Sequence, residues 1–437
     1  MGNEQGFMQS CKNAFEAASK MQNPLIVHHY DCDGITSGSI VASWFEKNKM
    51  PFRTRVARKL DEKTIDSLKG EQRIIFVDLG SGSQLVKDLK SEVVVIDHHQ
   101  PQHNAHIQAN PHLFGFDGGS EISASGCAYF VFQMCADLGV VGAVGDMQYP
   151  LKSLNKIMLS QAVEKKQISV STDLVLFGRG SRPLMQLLMF ADDPYIPGIT
   201  GNESACKKLL SDCNIDQKQG EKWRTYNGLS KQEKTSMVSA LADHMSLRVS
   251  PKAANKLTGE VYTLLNRPQG TELSDASEFS TLLNACGRNN QAELGVKVCM
   301  SKPGAFDEAK VLLAAHRKNL REGISFAAKN VQDLGKFLLI DGRGAIADSI
   351  IGIVAGMLYA GTKNKPVLAL SLEPSGKIKL SARGTRDLVN KGLNLGKILS
   401  QAGASVNGVG GGHNIAAGAT IPNERLDDFL REFAGRL

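Results

Sequence analysis

The chain has 437 residues, 42% of them hydrophobic and 22% charged, and a formal net charge of +7. That is the composition of a soluble globular protein with room for two or three domains. No apolar run reaches the ~18 residues a bilayer span needs, since even the stretch from Ala345 to Gly361 carries Asp348 and reads as a buried helix. The eight cysteines form no Cys-x-x-Cys pair. This argues against structural zinc and fits a reducing compartment. With neither a secretory nor a myristoylation pattern at the N-terminus, a cytoplasmic protein without membrane attachment is expected.

Residues 1–23 predict a short helix leading into the first strand. Three apolar runs follow: Leu25-Ile26-Val27, Ile74-Ile75-Phe76-Val77 and Val93-Val94-Val95-Ile96. Such runs predict buried strands of a parallel sheet. Each ends on residues that can bind metal: His29, Asp31 and Asp33; then Asp78; then Asp97, His98 and His99. In parallel sheets sites form beyond the carboxyl ends of the strands, so the runs bring these side chains together. Carboxylates so crowded need protons or cations between them. If the chain stays extended, His29, Asp31 and Asp33 share one side. Residues 125–141 predict one helix, after which Asp146 is placed to complete the site.

For any one of these acids a helix cap is the plainer reading; the set argues for metal. Oxygen ligands with one or two imidazoles suit manganese or magnesium better than zinc. His28 and Cys32 read as packing, and His103, His106 and His112 as loop residues.

Residues 151–325 read as mainly helical, with a polar, Lys-rich insertion at 201–270. Leu282–Arg288 ends a helix on Gly287 and Arg288, which suits an ordinary helix end and a nucleic-acid contact equally. Strand patterns return at Phe337–Asp341, Val367–Ser371 and Ile378–Arg383. From Phe326 onward fourteen Lys/Arg stand against nine Asp/Glu, which suits a polyanionic substrate and equally a solvated basic face. Gly410-Gly411-Gly412-His413 suits a flexible turn and equally a backbone cradle for an anion, to which a helix would add if one starts at Asn414; Arg383, at the end of a neighbouring strand, favours the cradle as a phosphate-binding fork. The expected architecture is α/β: a doubly wound, mainly parallel-sheet catalytic domain over 1–200, the insertion over 201–270, a helical segment and linker over 271–325, and a smaller α/β substrate-binding domain over 326–437.

Together, His29-x-Asp31-x-Asp33-Gly34, Asp78 in Val-Asp-Leu-Gly, Asp97-His98-His99 and Asp146 resemble the four core motifs of the DHH phosphoesterase superfamily. The Gly-Gly-Gly-His segment resembles its associated substrate-binding domain. With Asn284-Ala285-Cys286-Gly287-Arg288, the chain is most similar to RecJ-like single-strand exonucleases of the archaeal, GINS-associated kind. The resemblance implies two divalent cations, Mn2+ favoured over Mg2+. One would be held by His29, Asp31 and Asp78, the other by Asp33, Asp78, His98 and Asp146. Asp31, Asp33, Asp78, His98 and His99 would carry the chemistry, with Arg288, Arg383, Gly411, Gly412 and His413 binding substrate. It implies a nuclease removing nucleotides from an end of single-stranded DNA or RNA, partnered by the replisome GINS complex or another replication or repair protein. The alternatives are a phosphodiesterase for short oligonucleotides or cyclic dinucleotides and a non-catalytic replisome scaffold. A pyrophosphatase is disfavoured because Ser-Ala-Arg-Gly stands where that branch carries Ser-Arg-Lys-Lys-Gln.

Overall fold

The structure is a computed structural model that describes residues 2–191, 194–249, 251–359 and 365–437. Ala360 and Gly361, the end of the apolar stretch noted above, lie outside the described residues. The chain divides into two compact units, Met1–Lys310 and Val311–Leu437.

In the first unit five parallel strands form one sheet: β1 (Leu25–His29), β2 (Arg53–Ala57), β3 (Arg73–Val77), β4 (Glu92–Ile96) and β5 (Ile107–Ala109), in the order β2-β1-β3-β4-β5. The three apolar runs occupy its centre, buried on both faces as central parallel strands must be. Alternate residues Leu25, Val27, Ile74, Phe76, Val93 and Val95 pack into a single core cluster, which fixes the register of the pleat. The edge strands β2 and β5 carry no apolar run and are additions to the expected sheet. β2 reads Arg-Thr-Arg-Val-Ala, a charged pattern suited to an edge. Strand order reverses between β1 and β3, and the crevice beyond the carboxyl ends at such a switch point is where α/β sheets bind ligands.

The helix Glu4–Ala18 precedes β1, with Phe7 set edge-on to Phe114, Phe116 and Phe130. The single helix expected over 125–141 is two, Ala124–Phe132 and Ala136–Gly145, because Gln133 and Cys135 between them adopt left-handed backbone (φ 53° and 55°). The mainly helical stretch after 151 contains an antiparallel strand pair, Ile168–Leu174 with Thr258–Leu264. Between these strands lies a separate hydrophobic cluster that includes Leu184, Leu187, Tyr226, Met237 and Leu241. That core takes in residues before 201 as well as the Lys-rich segment.

The second unit holds a six-stranded mixed sheet. Its spatial order is Gln332–Asp333, Leu338–Asp341, Val367–Leu372, Ile378–Arg383, Ala416–Ile421, Val409–Gly412. One core cluster gathers Leu395, Leu399, Phe429 and Phe433, another Ile351, Val354 and Ala355. Among the described residues no helix is long and apolar enough to cross a membrane.

Candidate metal centre

β1 and β3 are neighbours and both end in the switch-point crevice, so His29 and Asp78 meet there. Only His29 of the first motif is in the strand. The helix starts at Cys32, with Asp31 as its cap accepting the Gly34 N–H at 3.1 Å and Asp33 in its first turn. The expected alternation of His29, Asp31 and Asp33 along extended chain is therefore corrected: a cap and a helical turn bring the carboxylates round. Asp33 is buried and accepts the Ala124 and Ser125 amides at 2.7 and 2.9 Å, at the positive start of the helix Ala124–Phe132. Asp78 follows β3 with a left-handed backbone (φ 58°), and its N–H donates to the Ile96 carbonyl at 3.0 Å.

Asp97, fully buried after β4, organises its two neighbours. One oxygen accepts the His98 and His99 amides (2.8 and 3.2 Å) and His99 Nδ1–H (2.7 Å), while the other accepts the Ser81 amide at 3.0 Å. The sequence placed Asp97 among residues able to bind metal; its oxygens instead engage the His98, His99 and Ser81 amides and the His99 ring. His98 Nδ1–H donates to the Gly118 carbonyl at 2.7 Å, so Nε2 is the nitrogen left to face a cation. That nitrogen lies 3.2 Å from Asp78 Oδ1 and 3.9 Å from Asp33 Oδ2.

Two sets of ligand atoms converge within 4.8 Å: His29, Asp31 and Asp78, and Asp33, His98 and Asp146. A third, Asp78, His98 and His99, overlaps both. His29 Nδ1 sits 2.9 Å from Asp31 Oδ2 and 3.4 Å from Asp78 Oδ2, yet neither it nor Asp78 Oδ1 has a hydrogen-bond partner although both atoms are buried. These atoms aim at shared points and not along each other's bonds, which fits a cation between them. The electrostatics agree. Burial and the Asp78 charge push Asp33 up to about 7, and burial opposes charge on His29, which Asp31 and Asp78 nevertheless hold up at about 11. Burial also opposes charge on His98, yet its carboxylate neighbours keep it well above the ordinary range. The carboxylates demand positive charge that a divalent cation would supply.

His99 is half-exposed, and with Nδ1 engaged by Asp97 its Nε2 is the nitrogen available to a substrate. Arg288 closes the helix Ala276–Arg288; burial pulls its guanidinium below the ordinary range while Tyr30 and Asp31 nearby pull it back. Three contacts at this edge escaped the sequence reading because each joins distant segments. The Asn284 side chain accepts the Cys32 amide at 3.0 Å, Arg58 donates to Asn290 at 2.8 Å, and the Arg58 guanidinium lies 4.5 Å from the Tyr30 ring centre. His28 and Cys32 are buried packing residues, and burial lowers His28 to about 4.

In the second unit, Arg383 ends its strand opposite Ala416, next to the turn that holds His413. Gly411 and Gly412 lie in a strand, not a loop, and the expected helix at Asn414 is instead a hairpin turn into Ala416–Ile421. Gly396 and Gly410 serve packing. A Cβ on Gly410 would come 2.3 Å from the Leu399 carbonyl, and one on Gly396 2.2 Å from that of Gly412, so helix and strand touch backbone to backbone. Gly411 has open space, and His413 is exposed.

Three family domains match: the DHH family N-terminal domain at residues 23–160, the DHH-CID domain at 176–257 and the DHHA1 domain at 335–437. An uncharacterised protein of Methanocaldococcus jannaschii (MJ0831) is 31% identical over 426 residues, covering 93% of this chain and 91% of that one. The single-stranded-DNA-specific exonuclease RecJ of Bacillus subtilis is 23% identical over 445 residues, 97% of this chain but only 46% of RecJ. The fold is shared with Thermus thermophilus RecJ solved with Mn2+ (TM-score 0.60, 14% identity, 99% of this chain and 55% of that one). It is shared also with CDC45 from Entamoeba histolytica (TM-score 0.62, 13% identity, 98% of both chains). By its three domains and its motifs, the chain belongs to the RecJ-like DHH superfamily.

Proposed function

We propose that the protein is a two-cation exonuclease that hydrolyses phosphodiester bonds at an end of single-stranded nucleic acid. DHH superfamily members are mostly metal-dependent phosphoesterases. The observation that carries the reading is the pair of convergent ligand sets, His29, Asp31 and Asp78 beside Asp33, His98 and Asp146. His29, Asp31 and Asp78 are assigned to one cation and Asp33, Asp78, His98 and Asp146 to the other. Mn2+ is favoured over Mg2+, and RecJ of Thermus thermophilus has been solved with each. When bound, such a pair activates water and offsets charge on the phosphoryl oxygens.

The chain's own groups orient the reaction. Asp97 fixes His99 through Nδ1, leaving Nε2 to meet the leaving oxygen. Arg288 at the rim of the site is assigned to the phosphate, and Arg383, Gly411, Gly412 and His413 to further phosphates of the strand. The replisome, through GINS or another replication or repair factor, is the proposed partner.

Digestion of 5′- and 3′-labelled single-stranded DNA and RNA of several lengths, with Mn2+ present or chelated, tests the reading. Mn2+-dependent shortening from one end supports it. Cleavage confined to dinucleotides would favour the short-oligonucleotide phosphodiesterase. No hydrolysis of any substrate, with a replication partner still bound, would leave the scaffold.

A further inference from the structure

We infer that Gln148, two residues past Asp146, is a positioning residue for the second cation: it fixes the direction of Asp146 and the carbonyl that sets the tautomer of His98. The inference rests on the two-cation reading and adds to it a residue outside the ligand set.

Gln148 is buried, and its amide has three acceptors on one side and one donor on the other. Nε2 donates to the Gly118 carbonyl and to Asp146 Oδ2, each at 2.8 Å, with the Ile122 carbonyl at 3.4 Å, while Oε1 accepts from Asn155 Nδ2 at 2.7 Å. Flipping the amide would set Oε1 against three oxygens, so this orientation is determined by the network. The Gly118 carbonyl receiving Gln148 also accepts His98 Nδ1–H at 2.7 Å. One side chain is thus bonded to one ligand and to the acceptor that orients another. Residue 118 must lack a Cβ to come this close, since a Cβ there would lie 1.8 Å from the His98 carbonyl.

The side chain is not needed to form the turn. The Met147 and Gln148 amides already donate to the Val144 and Ala143 carbonyls at 3.0 Å each, closing the backbone after the helix Ala136–Gly145. Its hydrogens therefore go to the metal centre. Partners of this kind around metal ligands typically govern affinity by 10–100-fold.

The test is Mn2+ titration of the full chain by calorimetry, comparing wild type with Gln148→Met, which keeps length but has no donor. Gln148→Asn keeps an amide too short to span both oxygens and serves if the first variant does not fold. Melting in chelator checks folding. Wild type is expected to bind two Mn2+. The variants are expected to weaken one step roughly 10–100-fold and leave the other unchanged, with turnover recovering to within about threefold at saturating Mn2+. Two unchanged steps, or equal weakening of both, would overturn the role of Gln148 while leaving the two-cation reading intact. Failure of the wild type to bind Mn2+ would overturn both.

Discussion

Asp97 holds His99 through a 2.7 Å hydrogen bond from the imidazole Nδ1, and the same carboxylate takes the amide of Ser81. A buried acid thus faces a half-exposed imidazole at the end of β4. His99→Ala is expected to lower kcat about 10²-fold or more, the usual scale for losing a positioned proton-transfer group, with the Mn2+ binding isotherm unchanged. Asp97→Ala should match that loss and also lower the melting temperature, since at least three amides lose an acceptor. Equal kcat for His99→Ala and wild type would remove His99 from the chemistry.

Asp33 has two tasks that substitution can separate. Asp33→Asn keeps an oxygen for the helix at Ala124 but loses the charge, so hydrolysis should disappear while strand binding, read by fluorescence anisotropy, stays within about threefold. Asp33→Ala should do the same and in addition cost about 1–3 kcal/mol in chemical denaturation, because buried amides lose their acceptor. Retained turnover in either variant would contradict the ligand assignment.

The hairpin of the second unit gives an independent check. His413→Ala should raise KM about tenfold with kcat little changed and Mn2+ uptake unaltered, as removal of uniform substrate binding requires. An unchanged KM would remove His413 from the substrate site.

Stability should depend on pH through Glu278, a buried acid away from the ligands. It accepts the Gly180 amide at 2.7 Å and the Ser181 hydroxyl, yet burial, with Asp275 adding to it, raises it from 4.5 to about 7. Between those values the folded chain keeps a proton that the unfolded chain releases. This group's contribution therefore falls as pH rises from about 4.5 to 7, then levels off. Glu278→Gln removes that slope. From pH 5 to pH 8 the urea midpoint should shift in the variant's favour by the equivalent of on the order of 2 kcal/mol; a constant difference would mean that Glu278 ionises normally.

How much could be read beforehand followed from whether the signal was local. β1, β3 and β4 announce themselves because central parallel strands must be apolar throughout, and the candidate ligands stand at or just past their ends. β2 and β5 do not, since an edge strand needs no such run. The pairing of Ile168–Leu174 with Thr258–Leu264 spans a whole inserted core and has no local signature. Gly410 was legible as special but not for its cause: a glycine that admits an anion and one that admits a neighbouring helix look alike in sequence. Arg58 reaches the site through Tyr30, and Asn284 through the Cys32 amide, by contacts between distant segments which no spacing encodes.

The left-handed turn at Asp78 restricts which amino acids that corner can hold. Asparagine, aspartate and glycine accept such backbone at little cost, whereas branched or bulky residues do not. A descendant that abandoned hydrolysis but kept its architecture would therefore be steered toward Asn or Gly at this corner. On the proposed role of Asp78, either residue would keep the turn while removing the charge that a cation needs.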